Sequence, residues 1–265
     1  MHPVDPAIAR RSTRLRRAAR LAHHLSRVYA SARLRCPRLR PRARGELAAA
    51  FAREMLDALE VRSQVRGRPY PTTDPVLVVA NHVSWLDMYA LNAVAGARFV
   101  AKSEVRGWPF FGTIAERFDT LFIVRGSYRD AARMRTEVAR ALRAGARVVI
   151  FPEGTTTDGA ALGHFHPALF QSAIDARVPV QPVAIRYRDA RGEPSPAPIF
   201  VGDTTVLESV RHVIRERSLT VEVTFGPPLS PLGLTRKTLA ARARRWIAGQ
   251  IGVGAVTITR RRFAA

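Results

Sequence analysis

The sequence predicts an α/β fold: a single domain with a mostly parallel mixed sheet flanked by helices, preceded by a basic N-terminal helical segment. From residue 76 onward, short apolar runs alternate with helical patterns, which is typical of parallel sheets covered by helices. The 265 residues are 47% hydrophobic, enough for one sizeable core. A Pro-rich stretch at 66–75 follows an arginine-rich beginning, so we expect an N-terminal segment of residues 1–65 and a main domain of residues 66–265.

The N-terminal segment is strongly basic, because residues 1–44 hold thirteen arginines and one acidic residue, Asp5. Within 14–34, apolar residues at helical spacing stand between arginines, which predicts a basic amphipathic helix suited to an anionic bilayer. Residues 46–61 predict a second helix. A nucleic-acid-binding arm and an organelle transit peptide have similar compositions. No stretch reaches the roughly 18 apolar residues of a membrane-spanning helix, so we expect any membrane contact to be peripheral.

The main domain can be followed element by element from its apolar patterns. Six runs are expected to be strands: VLVVA (76–80), ARFVAK (97–102), DTLFIV (119–124), RVVIF (147–151), VPVQPVAIRY (178–187) and LTVEVTFGPP (219–228). Helical periodicity or helix-ending residues mark five further segments: 84–94, 108–118, 128–145, 167–177 and a basic closing helix at 236–252.

Charge and cysteine content limit the classes of function. The formal net charge is +22 and the pI is about 11.7, which favours a polyanionic partner, either nucleic acid or an anionic membrane surface. Lys102 and Lys237 are the two lysines, so arginine carries nearly all of this charge, and a coding bias toward arginine and alanine is the competing explanation. The single cysteine, Cys36, excludes an intramolecular disulfide and a cysteine-cluster metal site.

The strongest candidate for chemistry is His82, which directly follows the first predicted strand. In open α/β sheets, ligands bind at the carboxyl ends of the strands. An imidazole there can act as a general base, and Asp87 can orient it if His82 lies in the turn before the helix. The alternative is structural, because Ser84 followed three residues later by Asp87 also matches a helix capping box.

Two further strand ends carry polar residues. Glu153, Gly154 and Thr155 follow RVVIF, and such a loop can present N–H groups and hydroxyls to a phosphate or an oxyanion, although a plain polar turn has the same composition. Arg125 follows DTLFIV, and its guanidinium suits a phosphate. His164 and His166 could contact a metal, but no third ligand stands at a telling spacing, so we expect no metal site. Nucleophile-elbow, P-loop and dinucleotide-binding motifs are absent from the sequence.

Four blocks in order resemble the glycerolipid acyltransferase family, in particular bacterial 1-acyl-glycerol-3-phosphate and related lysophospholipid acyltransferases. They are NHVSWLD at 81–87, LFIVRG at 121–126, FPEGT at 151–155 and VPVQPVAI at 178–185. FVAKSEV at 99–105 with WPFFG at 108–112 also resembles the segment between the first two blocks. The resemblance covers about residues 70–230.

The resemblance implies direct acyl transfer without an acyl-enzyme. His82 would remove a proton from the acceptor hydroxyl while Asp87 holds His82, and acyl-CoA or acyl-carrier protein would be the co-substrate, with no cofactor. The substrate-binding positions that it implies are Asn81, Ser84, Lys102, Arg125, Glu153, Gly154 and Thr155. We expect a peripheral enzyme on the cytoplasmic face of the cell membrane, docked through the basic helices at 12–34 and 236–250.

The departures from the family pattern concern the acceptor. Thr156 stands where members that use lysophosphatidic acid often carry arginine, His166 stands at the expected basic position of a later segment, and Val124 replaces an acid. The leading expectation is acylation of 1-acyl-sn-glycerol-3-phosphate to phosphatidic acid, and the first alternative is another lysolipid such as a lyso-aminolipid. A hydrolase that uses His82 and Asp87 and a nucleic-acid-binding protein are lower alternatives.

Overall fold

The computed structural model describes residues 8–124 and 128–252. Its helices of more than five residues are α1 (Arg11–Leu34), α2 (Pro41–Leu59), α3 (Leu86–Ala95), α4 (Phe111–Arg117), α5 (Tyr128–Arg143), α6 (Gln171–Ala176), α7 (Val206–Arg215) and α8 (Arg236–Ile251). Its strands are β1 (Val61–Arg66), β2 (Val76–Ala80), β3 (Arg98–Lys102), β4 (Leu121–Ile123), β5 (Arg147–Ile150), β6 (Val180–Arg188) and β7 (Leu219–Phe225). All six predicted strands are present.

The seven strands form one sheet in the order β1-β7-β6-β2-β5-β3-β4. The five strands from β6 to β4 are parallel, β7 is antiparallel to β6, and β1 is parallel to β7. The predicted mostly parallel mixed sheet flanked by helices is therefore confirmed. The sequence pattern missed β1 and α7. Because β1 spans 61–66, the predicted boundary after residue 65 falls inside a strand of the sheet.

Helices cover both faces of the sheet. The first face carries α1, α2, α3 and α7, which pack on alternate β2 residues beginning with Val76. The second face carries α5, α6 and α8, which pack on the intervening Leu77 and Val79. Burial on both faces explains why β2 is apolar at every position.

The N-terminal helix α1 is fastened to the first face by a buried arginine. The Arg17 guanidinium donates to the carbonyl oxygens of Ile214 (3.1 Å) and Glu216 (2.5 Å) at the end of α7, and it lies 3.3 Å from the Glu60 carboxylate. A cation at a helix C-terminus satisfies the last carbonyl groups and the helix dipole. Val28 of α1 is buried, whereas Leu15 is exposed, so the predicted apolar face of α1 is divided between core and solvent. Across 8–124 and 128–252, no helix is both long and apolar enough to cross a membrane.

Candidate active site

The β2 and β5 loops meet at the carboxyl edge of the sheet. These strands are direct parallel neighbours, with Val79 opposite Ile150. The backbone N–H of His82, just after β2, donates to Glu153 Oε1 just after β5, over 2.9 Å. Two loops that stand 71 residues apart in the sequence therefore share one site. The proximity of these two loops was predicted from the sequence, because both follow strands of the predicted parallel sheet.

His82 and Asp87 are in direct contact. The distance from His82 Nδ1 to Asp87 Oδ2 is 2.8 Å, and the Asp87 side chain is fully buried. α3 begins at Leu86, so His82 lies in the preceding turn, as the orienting interaction requires. Because a carboxylate accepts hydrogen bonds, the shared proton belongs on Nδ1, and Nε2 is the ring nitrogen that can receive another proton.

Asp87 also binds the backbone of this turn. Its Oδ2 atom accepts from the N–H groups of Val83 (2.7 Å) and Ser84 (2.9 Å). One oxygen therefore contacts the turn and the imidazole together, as the orienting interpretation requires. The predicted capping box is only half formed: Asp87 accepts from Ser84 N, but Ser84 Oγ accepts from Leu86 N over 3.3 Å, and Asp87 N donates to the backbone carbonyl oxygen of Ser84 instead.

Two aromatic residues complete the surroundings of the pair. The Tyr187 hydroxyl, at the end of β6, donates to Asp87 Oδ1 over 2.7 Å. Burial, together with the Asp87 charge, raises the pKa of Tyr187 well above its usual value, so the hydroxyl keeps its proton. The Phe151 ring stacks on the His82 ring at 3.9 Å between centroids and 11° between planes. Neither residue was given a role in the sequence analysis. β6 extends beyond the end of β2 at this edge, and this extension brings Tyr187 to Asp87.

Glu153 contacts backbone rather than open space. Its carboxylate is buried and accepts from His82 N and, over 2.8 Å, from Gly163 N. Burial raises the pKa of the Glu153 carboxyl, and the hydrogen bonds from Gly163 and His82 partly oppose that shift. A Cβ atom on Gly163 would lie 2.9 Å from Glu153 Oε2, so a side chain at this position would have to displace the carboxylate. Arg244 of α8 donates to Gly163 O over 2.8 Å and supports the same loop.

Asn81 and Ser84 are buried in and beside the turn that carries His82. The Asn81 side chain exchanges two hydrogen bonds with the backbone of Ile185 in β6, at 3.0 and 2.8 Å. The Ser84 hydroxyl is engaged by Leu86 N, as described above. Both residues therefore fix the path of the chain around His82.

Three further predicted substrate-binding residues, Lys102, Gly154 and Thr155, lie on or near the carboxyl edge of the sheet. Lys102 is exposed at the end of β3, which runs beside β5, and Thr155 is exposed in the loop after β5. Gly154 has a φ of 74°, a conformation that glycine adopts freely. Arg125 lies outside the described residues. Thr156 turns inward, where its hydroxyl donates to the carbonyl oxygen of Phe200.

The His164 and His166 rings are adjacent, with centroids 5.2 Å apart, and both residues are exposed. Within the described parts of the chain, no group of three or more histidine, cysteine, aspartate or glutamate side chains is arranged to hold a metal ion.

The fold and site define an α/β enzyme with a carboxylate-bound histidine at the carboxyl edge of its sheet. Residues 62–186 match the family described as Acyltransferase. A lyso-ornithine lipid O-acyltransferase of Pseudomonas aeruginosa is 43% identical over 188 residues, which are 71% of this chain and 72% of that protein. A 1-acyl-sn-glycerol-3-phosphate acyltransferase of Neisseria meningitidis serogroup B is 40% identical over 217 residues, 80% of this chain and 83% of that protein.

The chain belongs to this acyltransferase family, and the predicted family and enzyme class are confirmed. A solved structure, the 1-acyl-sn-glycerophosphate acyltransferase of Thermotoga maritima, matches with a TM-score of 0.66 at 20% identity. The match covers 92% of this chain and 97% of that one, and it supports the fold.

Proposed function

We propose that the enzyme moves a fatty acyl group from a thioester, acyl-CoA or acyl-carrier protein, to the free hydroxyl of 1-acyl-sn-glycerol-3-phosphate, giving phosphatidic acid. The observation that carries the proposal is the His82 imidazole, held by Asp87 through Nδ1 at 2.8 Å, with its side chain 19% exposed at the sheet edge. The relative from Neisseria meningitidis, which acts on this acceptor by name, supports the choice of substrate.

The chemistry requires one base and no enzyme nucleophile. His82 Nε2 takes the proton of the acceptor hydroxyl as its oxygen attacks the thioester carbonyl carbon. The carbon–sulfur bond then breaks, an ester forms, and the departing thiolate takes the proton back from His82. Asp87 stabilises the imidazolium between these two proton transfers, as in other carboxylate–histidine pairs. The thioester is consumed as a co-substrate.

Acceptor binding is assigned to the exposed edge. Lys102, Arg125, Gly154 and Thr155 would contact the phosphoglycerol group; the position of Lys102 at the end of β3 and the exposure of Thr155 support this. The inward contacts of Asn81, Ser84 and Glu153 favour a role in holding the turns. These three residues would affect the acceptor through the geometry of His82.

A lyso-ornithine lipid is the second candidate acceptor. The motivating observation is Thr156, which stands where arginine is often found and whose hydroxyl is engaged by Phe200 O. This position therefore adds no positive charge for a phosphate. The relative from Pseudomonas aeruginosa, named as a lyso-ornithine lipid O-acyltransferase, supports the same acceptor class.

The proposed location is an anionic membrane surface on the cytoplasmic side, with residues 1–65 contributing to contact. The net charge of +22 supports attraction to anionic lipid. The enzyme would then meet its lipid acceptor without leaving the bilayer surface.

The deciding experiment is an acyl-transfer assay with a panel of acceptors. Wild type and His82→Ala receive each thioester donor with 1-acyl-sn-glycerol-3-phosphate, lyso-ornithine lipid or a monoacylglycerol that lacks phosphate, and products are resolved by mass. A diacyl product from wild type that His82→Ala fails to make identifies reaction and acceptor together. Released fatty acid without a diacyl product would instead indicate a hydrolase.

The same assay tests whether Arg125 recognises the phosphate of the acceptor. If Arg125 binds phosphate, Arg125→Ala raises the KM for 1-acyl-sn-glycerol-3-phosphate and leaves the KM for the acceptor without phosphate nearly unchanged. An equal rise with both acceptors would remove Arg125 from phosphate recognition.

A further inference from the structure

A groove runs between α1 and α7 on the first face of the sheet, with a volume of about 390 Å³. Three apolar side chains, Leu15, Ala18 and Ile214, contribute to its lining. The rest of the lining is four arginines and contains no acid: Arg11, Arg14, Arg211 and Arg215. This α1–α7 groove combines apolar surface with concentrated positive charge. An anionic phospholipid is complementary to it, because it carries apolar acyl chains and a negatively charged phosphate.

Apolar side chains are also exposed beside the groove and at the far end of α1. Leu15 is 63% exposed and Leu207 is 57% exposed. Leu207 lies four residues before Arg211 and seven before Ile214, so helical spacing places it on the same face of α7. At the other end of α1, Tyr29 stacks on Phe110, and the nearby Trp108 is 43% exposed. Leucine, tryptophan and arginine together are typical of helices that lie in a membrane interface.

The two basic helices singled out in the sequence lie on opposite faces of the sheet. α1 packs through Leu21 with the first face, whereas α8 packs through Leu239 and Ile247 with the second. A planar bilayer that covers one of these faces therefore leaves the other in solvent. Leu15 and Leu207 are exposed on the α1 and α7 side, and Leu232, which precedes α8, is 75% exposed as well. The α1 and α7 side is distinguished by a groove that four arginines line together with apolar side chains.

The groove is also connected to the catalytic turn. Trp85, between Ser84 and Leu86, donates from its indole N–H to the Ser209 hydroxyl over 3.0 Å. Ser209 is buried on the inner side of α7, whose outer side carries Arg211 and Arg215. One hydrogen bond thus joins the helix that forms the groove to the turn that holds His82 and Asp87.

We infer that the α1–α7 groove is the docking surface for an anionic phospholipid bilayer: the arginines bind phosphate head groups and Leu15 enters the interface. α8 takes no part in docking. The inference rests on the proposed membrane function and deepens it, because it names the face that meets the lipid. Docking there would bring the bilayer to α7, next to the turn that carries the base.

Charge reversal tests the groove against a matched control. Arg11→Glu with Arg211→Glu changes one arginine on each wall; glutamate in the first turn of α1 also suits the helix dipole. Arg242→Glu with Arg245→Glu makes the same charge change on exposed positions of α8. Binding to phosphatidylcholine vesicles that contain phosphatidylglycerol is measured by sedimentation at low and high salt, after urea unfolding has shown that both variants are folded.

The groove variant should bind the vesicles at least about 25-fold more weakly at low salt, since each basic side chain near an anionic surface contributes about fivefold. The α8 variant should stay within about twofold of wild type, a difference too small to reflect a lost head-group contact. Leu15→Ser, which changes no charge, should also weaken binding. If both double variants lost vesicle binding equally, net charge alone would explain the loss, and the inference would be overturned. Unchanged vesicle binding by the groove variant would overturn it as well.

Duplex DNA is the competing polyanion. The inference requires that the groove variant lose more affinity for vesicles than for DNA, and the reverse result would overturn it in favour of a nucleic-acid site. Sedimentation needs no acyl transfer, so failure of the groove and failure of the proposed reaction are separate outcomes. A short-chain soluble acceptor completes the separation, because the groove variant should acylate it at the wild-type rate.

Discussion

Two buried carboxylates adjoin His82, and they hold different parts of it. Asp87 binds the imidazole through Nδ1 at 2.8 Å, whereas Glu153 binds the backbone N–H of the same residue at 2.9 Å. In the proposed mechanism, Asp87 therefore acts on the group that moves the proton. Glu153 instead fixes the backbone position of His82. Both groups are buried carboxylates, so the atom that each contacts is what distinguishes them.

The partners of the two carboxylates differ as well. Asp87 satisfies a local turn, with Val83 and Ser84 as neighbours, and it adds Tyr187 from β6. Glu153 bridges the β2 loop and Gly163, which also lies far from His82 in the sequence. Loss of the Asp87 carboxylate should mainly lower kcat. Loss of the Glu153 carboxylate should lower both the stability of the fold and kcat, because the backbone of His82 shifts.

The largest effect is expected for His82→Ala. Removal of the base should lower kcat by about 10²- to 10⁴-fold, the usual contribution of general-base catalysis. The unfolding midpoint in urea should change little, since Asp87 keeps its backbone donors. His23→Ala, an exposed histidine on α1, is the control. Full activity in His82→Ala would remove His82 from the mechanism.

Asp87→Asn should follow with a loss in kcat of about 10²- to 10³-fold. The amide nitrogen can turn toward the Tyr187 oxygen and leave the amide oxygen to accept from His82, Val83 and Ser84. The turn is then kept while the negative charge that stabilises the imidazolium is lost. Steady-state kinetics should show kcat reduced with KM nearly constant, and a rise in KM alone would contradict the orienting role.

Glu153→Gln should lower kcat by about 10- to 100-fold, because the backbone of the base shifts. One amide oxygen cannot accept from both His82 N and Gly163 N, and a buried donor left without a partner costs about 1–3 kcal/mol of stability. Glu46→Gln, an exposed glutamate, should change neither quantity. A raised KM with intact stability would instead favour direct acceptor binding by Glu153.

The stability loss in Glu153→Gln should also depend on pH. Burial raises the pKa of Glu153 above its ordinary value of 4.5. The folded state then holds this proton more tightly than the unfolded state does, so the contribution of Glu153 is greatest below pH 4.5 and declines as pH rises through the raised pKa. Urea unfolding of wild type minus Glu153→Gln across this range should show that decline, and a difference that grows with pH would contradict it.

The smallest effect is expected for Tyr187→Phe. The variant leaves Asp87 Oδ1 without its hydroxyl donor, which should cost about 1–3 kcal/mol of unfolding free energy. kcat should fall only a few-fold, because Nδ1 keeps its contact with Asp87. Tyr29→Phe, which retains the ring stacked on Phe110, is the control. Loss of activity as large as that of Asp87→Asn would mean that Tyr187 takes part in the proton transfer itself.

Local patterns explain what could be predicted from the sequence. The apolar run at 76–80 is buried on both faces and could be recognised without knowledge of its neighbours. His82 and Asp87 stand five residues apart, so their contact needed only the turn before α3. The parallel sheet then brought Glu153 to the same edge.

Long-range register explains what was missed. β1 has one buried residue, Val61, and otherwise exposed positions, so its sequence carries no strand periodicity. Tyr187 reaches Asp87 only because β6 extends past the end of β2, a stagger that no local pattern encodes. The apolar residues of α1 were predicted to form one face of a basic amphipathic helix, and the division of that face between core and solvent depends on where α7 packs.

The most direct test of the division between the two carboxylates is a double-mutant cycle on kcat. If Asp87 acts through the imidazole, His82→Ala with Asp87→Asn should be no slower than His82→Ala alone, because the group that Asp87 serves is already gone. Equal residual rates are expected for these two variants. If kcat of the double variant were about 10²-fold below that of His82→Ala, Asp87→Asn would have its full effect without the imidazole. That result would contradict the proposed action of Asp87 through His82.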